Sequence, residues 1–342
     1  MVAVNRPARI GARLESTMDT EAGRAVVALL REQRMLLFVG AGLSIDLGYP
    51  LWGDYLAELE KELGAEAPKM DDLLERAEWI KQSFADKQRL PDYLTHIQQT
   101  FAPKPVSPYT PLQRALLQFG FRGVITTNFE PSLENALSAV NIAAGRLSCS
   151  PLDLGDPRSF SIFDFLRLVG RGSTTESVLH LHGVHDHPDR VVLAARDYRE
   201  RYGNFTDVDR DGLPVHRTLD VILRKVVWAL LVTYPTLFVG FSLNDPALRH
   251  ILRVISADFQ RGRSLGHFAI VGAESEEEEE KLTLAWREHG ITPVFYRVVR
   301  SPGLGRDDHS NLAALVADFG TELRVNHGLD PIGAFTDRML EL

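Results

Sequence analysis

Four short segments of the chain carry residue types able to do chemistry. In the first, the apolar run Leu37-Phe38-Val39 leads into Gly40-Ala41-Gly42-Leu43-Ser44. Glycines at a strand end let backbone approach a phosphate closely, and the start of a following helix favours negative charge. The third glycine of a dehydrogenase-type Gly-x-Gly-x-x-Gly would fall at Ile45, and no Gly-Lys-Ser/Thr follows, which excludes that fingerprint and a phosphate-loop NTPase. Ser44 also suits a helix N-cap. In the second segment, Ile125-Thr126-Thr127-Asn128-Phe129-Glu130, Asn128 offers a donor and an acceptor able to fix a hydroxyl or a water. It equally suits closing a loop, with Glu130 starting a helix. The third segment is His180-Leu181-His182-Gly183, with His185 and His187 close behind. His180 and His182 share a face if the strand continues through them. No Cys pair stands near these histidines to complete a zinc site, so no metal is expected. An imidazole titrates near neutrality, which makes His182 a candidate acid/base or ribose-contacting group. The fourth segment, Leu237-Phe238-Val239-Gly240-Phe241-Ser242-Leu243-Asn244-Asp245, is another strand ending in Gly and Ser. Ser242 can contact a phosphate or ribose, and Asp245 before Pro246 reads as an N-cap and first helical position.

These segments need strands to hold them. Short apolar runs occur at 35–39, 123–126, 178–181, 190–193, 236–239, 268–271 and 293–296. Most are continuous rather than alternating, as in a sheet covered on both faces. Helical patterns lie between them, at Glu21–Arg34, Pro131–Leu137, Leu219–Val232 and Asp245–Phe259. The alternation predicts an α/β fold: a Rossmann-like parallel sheet with flanking helices and right-handed crossovers. Residues 52–119 hold helical patterns and six prolines but no convincing strand, and read as a helical insertion after the first strand. The expected division is residues 1–51 with 120–342 as the nucleotide-binding domain, and 52–119 as a small helical domain. Residues 141–176, rich in Gly, Ser and Asp, read as loop. The acidic run Glu276–Glu280 reads as a solvated helix start. Asp307, Asp308 and His309 read as a surface loop before a helix over 311–319, and no acidic metal-ligand cluster of a nuclease is evident.

Composition narrows the class. The chain has 342 residues, 44% hydrophobic and 25% charged, enough apolar content for a sizeable core. Lys plus Arg number 38 against 46 Asp plus Glu, a formal charge of −8, so no direct nucleic-acid binding and no membrane-surface role is expected. The single cysteine, Cys149, rules out an internal disulfide and a Cys-rich zinc ribbon. The N-terminus has Arg6, Arg9 and Arg13 but no apolar stretch of signal-peptide length. The most apolar run, Val226–Phe241, is shorter than the ~20 residues that span a bilayer. A cytoplasmic protein is expected.

Taken in order, the four segments resemble the sirtuin superfamily: strand-Gly-Ala-Gly-x-Ser, then Thr-x-Asn-x-acid, then His-Gly, then Gly-x-Ser-Leu. Gly48-Tyr49-Pro50-Leu51-Trp52, Leu181-His182-Gly183 through Leu193-Ala194-Ala195-Arg196-Asp197-Tyr198, and Gly240 through Pro246 look like the bacterial sirtuin-like branch used in anti-phage defence. The resemblance covers roughly residues 30–300. It implies a Rossmann-type domain that takes NAD as substrate, with hydrolysis to nicotinamide and ADP-ribose. Asn128 and His182 carry over as the catalytic pair. Gly40, Ala41, Gly42 and Ser44 carry over to the pyrophosphate and nicotinamide-ribose side, Gly240, Ser242 and Asp245 to the adenosine side, and Thr127 to the cofactor-binding set. Glu130 stands where the family more often has Asp. The four cysteines of the deacetylase zinc module are missing, which weighs against the alternatives of an NAD-dependent deacylase or ADP-ribosyltransferase. A non-catalytic NAD or ADP-ribose sensor has no need of the Asn–His pair. Uncontrolled NAD loss would kill a cell, so control by homo-oligomerisation is expected, or by a partner such as the HerA-like hexameric ATPase or short Argonaute of related two-gene systems.

Overall fold

The computed structural model describes residues 20–66, 68–144, 150–153, 160–171, 177–203, 222–259, 266–300 and 307–327. Cys149, the N-terminal arginines and the start of the helical pattern at Leu219 lie outside them. After α1 (Glu21–Arg31), β1 (Leu36–Val39) enters the centre of the molecule. A 3₁₀ segment, Ala41–Leu47, leads to α2 (Trp52–Leu63), α3 (Leu73–Asp86), α4 (Leu90–Thr100) and α5 (Pro111–Leu117). The chain returns as β2 (Gly123–Thr126), α6 (Ser132–Ala143), β3 (Ser150–Asp153), α7 (Phe160–Arg171) and β4 (Ser177–His180). There follow α8 (Ala195–Tyr202), α9 (Ile222–Thr233), β5 (Thr236–Val239), α10 (Pro246–Phe259), β6 (His267–Ala273), α11 (Glu276–Arg287), β7 (Ile291–Arg297) and α12 (Ser310–His327).

The seven strands form one parallel sheet in the order β3-β4-β2-β1-β5-β6-β7. All four residues of β1, β2, β4 and β5 are buried, which is why they read as continuous apolar runs. Alternate side chains still separate by face. Leu36 and Phe38 of β1 join α7–α10 on one side, and Leu37 and Val39 join α1, α5, α6 and α12 on the other. The result is a three-layer Rossmann-like α/β fold. The first half of the sheet is built outward from β1 through β2, and the second half outward from β1 through β5. The chain therefore reverses direction at β1, and the crevice beyond the carboxyl ends of β1, β2 and β5 is where such sheets bind ligands.

Helices α2–α4 have a core of their own, built on Tyr55, Leu56, Leu59, Ile80, Phe84, Tyr93 and Ile97. It is continuous with Phe129 after β2 and with Val191, Leu193 and Ala194 after β4, so the helical segment packs directly over the strand ends. Helix α5, counted with the insertion in the sequence reading, packs instead on α6 and α12 through Leu116 and Leu117.

Two expectations are corrected. Residues 190–193 form no strand. A 3₁₀ turn, Pro188–Arg190, precedes an extended segment whose Val192 N–H donates to the His182 carbonyl at 2.9 Å. Gly183, at φ +86°, turns the chain away from the sheet, and the apolar side chains of the segment enter the cores on either side of it. Residues 141–176 contain β3 and α7, and α7 buries Phe165 and Val169 against the sheet. The Gly, Ser and Asp content masked the apolar stripe of Phe160-Ser-Ile-Phe-Asp-Phe-Leu-Arg-Leu-Val. Asp307–Asp308 pairs with Val299–Arg300 in a short antiparallel ladder, and the helix beyond runs from Ser310 to His327. The acidic run opens α11, capped by Ser275, as its first-turn charge suits.

Candidate functional site

A cavity of about 550 Å³ opens at the carboxyl ends of β1, β2, β4 and β5 and is roofed by the start of α2. All ten residues singled out from the sequence line it: Gly40, Ala41, Gly42, Ser44, Thr127, Asn128, His182, Gly240, Ser242 and Asp245.

The glycines are explained by a crossing of two loops. Gly42 N–H donates to the Gly240 carbonyl at 2.9 Å. A Cβ on Gly40 would lie 2.4 Å from that same oxygen, and one on Gly42 2.9 Å from it. Gly240 sits at φ +63°, and a Cβ there would lie 2.6 Å from the Leu43 nitrogen. The loops after β1 and β5 thus meet backbone to backbone. The positions require glycine for that contact, so room for a phosphate does not by itself account for them.

Asn128 is held by a buried polar network. Its Nδ2 donates to Glu130 Oε1 at 2.9 Å, and lies 3.3 Å from Ser44 Oγ and 3.4 Å from the Gly40 carbonyl. Three acceptors around Nδ2 fix the amide orientation and leave Oδ1 a buried acceptor with no protein partner. Gln113, from α5, donates to Ser44 Oγ at 3.2 Å and Ser132 Oγ at 3.0 Å. Ser44 therefore serves this network from inside the 3₁₀ segment, whose N-cap position is Gly40. The Asn128 backbone is pinned as well: its N–H donates to Thr126 Oγ1 at 3.0 Å, and its carbonyl accepts from His180 Nδ1 at 2.7 Å. His180 Nε2 meets Glu134 of α6. Burial opposes the charged His180 ring, but Glu134 and the Asn128 carbonyl outweigh it and push the pKa up to about 9. Burial raises the Glu130 carboxyl pKa, against hydrogen bonds from Ser44 and Asn128.

His182 takes a separate environment, because β4 ends at His180 and the two histidines do not share a strand face. Its ring packs edge-on to Tyr198 and Tyr202 of α8, with centroids 5.2 Å and 5.8 Å away. Nε2 lies 3.4 Å from Asp245 Oδ2. Burial lowers the His182 pKa, with the Asp245 carboxylate opposing. A largely neutral imidazole at neutral pH is the form a general base requires.

Sequence reasoning gave no role to Gln113 or Glu134, and it quoted Trp52 and Tyr198 only within segments that carry the resemblance, with no place in the site. Trp52 stacks on Tyr198 at 6.3 Å, and both line the cavity. A capping-box pattern, Thr110 with Gln113, does mark the start of α5. Nothing local signals that the same Gln113 reaches Ser44, 69 residues away. Among the described residues no three His, Cys, Asp or Glu side chains converge as a metal site, and no helix is long and apolar enough to cross a membrane.

A doubly wound parallel sheet with polar groups converging on a cavity at its switch point defines a Rossmann-like α/β protein. Its family follows from comparison: a SIR2-like domain model matches residues 122–294, just over half of the chain, and the chain belongs to that family. It is 26% identical over 265 residues to the NAD(+) hydrolase ThsA of Bacillus cereus (strain MSX-D12), covering 73% of this chain and 45% of that protein. It is 27% identical over 241 residues to the NAD(+) hydrolase ThsA of Acinetobacter baumannii (strain 532279), covering 70% of this chain and 42% of that protein. The aligned part spans less than half the length of these curated relatives.

Proposed function

We propose that the chain hydrolyses NAD to nicotinamide and ADP-ribose. The observation that carries this reading is the convergence of Asn128, with its unpartnered Oδ1, and His182 on one cavity at the switch point of a SIR2-like fold. The names of the two relatives support the same reaction.

The chemistry asks little covalent work of the protein. The bond between ribose C1′ and the nicotinamide nitrogen breaks, its electron pair neutralises the pyridinium, and an oxocarbenium-like ribose is left. Water adds to C1′ and loses a proton, so NAD and water give ADP-ribose, nicotinamide and a proton. Positioning and exclusion of bulk water supply most of the rate. In this reading Asn128 Oδ1 orients the water or a ribose hydroxyl, and His182 accepts the proton. The backbone from Gly40 to Ser44 and Thr127 holds the diphosphate and nicotinamide-ribose side, while Gly240 and Ser242 border the adenosine side. The defence role and control by self-association or a partner ATPase or Argonaute belong to the same proposal, supported by the resemblance to the defence branch.

The test is nicotinamide release by the purified chain over a concentration series, beside Asn128→Ala and His182→Ala. Each variant is expected to lose about 10²–10⁴-fold in turnover. Unchanged turnover in either would remove that residue from the mechanism. Rising specific activity with concentration would support assembly as the switch.

A further inference from the structure

Asp245 has two oxygens with different duties. Oδ1 accepts the Leu248 N–H at 2.8 Å and caps α10. A cap needs no more than that, and Ser, Thr or Asn would provide it. Oδ2 turns the other way: it accepts the Tyr198 hydroxyl at 3.0 Å and faces His182 Nε2 at 3.4 Å, a charge contact without hydrogen-bond geometry that leaves Nε2 a buried nitrogen with no other partner. Asp245 and His182 are each at most 9% exposed, so this approach occurs out of water.

We infer that Asp245 is the positioning residue of His182: the charge on its Oδ2, next to the otherwise unpartnered Nε2, favours the proton on that nitrogen, so that Nδ1 is the basic nitrogen of the ring, and Tyr198 fixes the carboxylate for that task. Which nitrogen of a histidine carries its proton is set by the partner of the other. Tyr198 and Tyr202 wall the ring from α8, and Asp245 approaches from the start of α10. The other carboxylates lining the cavity are Glu130, after β2, and Asp54, in the first turn of α2. The charge that acts on His182 is that of Asp245. This role differs from a contact to the adenosine end of the substrate, and it rests on the NAD-hydrolysis reading above.

The deciding substitution is Asp245→Asn, which keeps the cap but replaces the charge. Its amide would present N–H to Nε2 and favour the wrong tautomer. The expected result is a fall in kcat of about 10²–10⁴-fold with KM little changed. The acid limb of the pH profile should move to lower pH. In a His182→Ala background the same substitution should cost nothing further, because both act through one ring. A raised KM with unchanged kcat would assign Asp245 to substrate contact, and multiplicative losses in the double variant would assign it a structural role. Either overturns the proposal. Nitrogen-15 imidazole spectra, with His182 identified by its loss in His182→Ala, test the tautomer without any turnover. A neutral ring protonated at Nε2 in the wild-type chain, changed by Asp245→Asn, supports the proposal even if NAD proves not to be the substrate. A ring protonated at Nδ1 contradicts it whatever the activity.

Discussion

At the residue scale the molecule sets two buried histidines at opposite ends of the imidazole range. His180, paired with Glu134, is pushed up to about 9, and His267, buried at the start of β6, is lowered to about 4. An unfolded histidine titrates near ~6.5. Between ~6.5 and about 9 the folded chain binds the extra proton at His180, so this contribution is full below ~6.5 and fades as pH rises through about 9. Between ~6.5 and about 4 the unfolded chain binds the extra proton at His267, so stability falls as pH drops through that window. Thermal melts across pH 4–9 should therefore weaken on both sides of neutrality. His180→Gln should flatten the alkaline side relative to wild type; an unchanged alkaline slope would show that the pair does not carry it. The loop crossing gives a second residue-scale prediction. Gly240→Ala meets both a positive φ and the Leu43 backbone, and should cost about 1–3 kcal/mol by chemical denaturation. A variant as stable as wild type would mean that the two loops can separate freely.

At the scale of elements, α8 links the helical segment to the site. Lys81 of α3 reaches Asp197 at 2.6 Å, and Glu78 of the same helix accepts the Arg196 N–H at 2.8 Å. Asp197 also accepts the Ala194 N–H at 3.0 Å, and the next residue, Tyr198, and Tyr202 one turn beyond it enclose His182. The ion pair is partly exposed, so its loss should cost under ~1 kcal/mol globally. Lys81→Ala should still speed amide hydrogen exchange in α8 while leaving the β1 and β5 amides protected. Equal exchange in α8 would show that α3 does not restrain it. The strands of this layout were legible because full burial leaves runs such as Leu36–Val39 and Thr236–Val239 without polar interruption. The stretch over 190–193 has the same composition but lies between two cores, and composition cannot tell that place from a sheet. Edge strand β3 carries Pro151 and joins the sheet by pairing with β4 alone, so its sequence lacks the apolar signal of the centre.

At the scale of the whole molecule, the parallel sheet brings together segments separated by more than a hundred residues, and this is why ordered motifs revealed the site. Each of the four segments ends a strand, and strands that run parallel place their carboxyl ends side by side. The partnerships that fix those motifs from behind, of Gln113 with Ser44, Glu134 with His180 and Tyr198 with Asp245, were not legible, because they are set by packing between helices rather than by spacing along the chain. The most direct test of the account is nicotinamide release from NAD by the wild-type chain, measured beside Asn128→Ala and His182→Ala at concentrations high enough to populate any assembly. The account predicts stoichiometric nicotinamide and ADP-ribose from the wild-type chain and loss of both products in each variant. NAD binding without release at every concentration, or release that survives both substitutions, would contradict it.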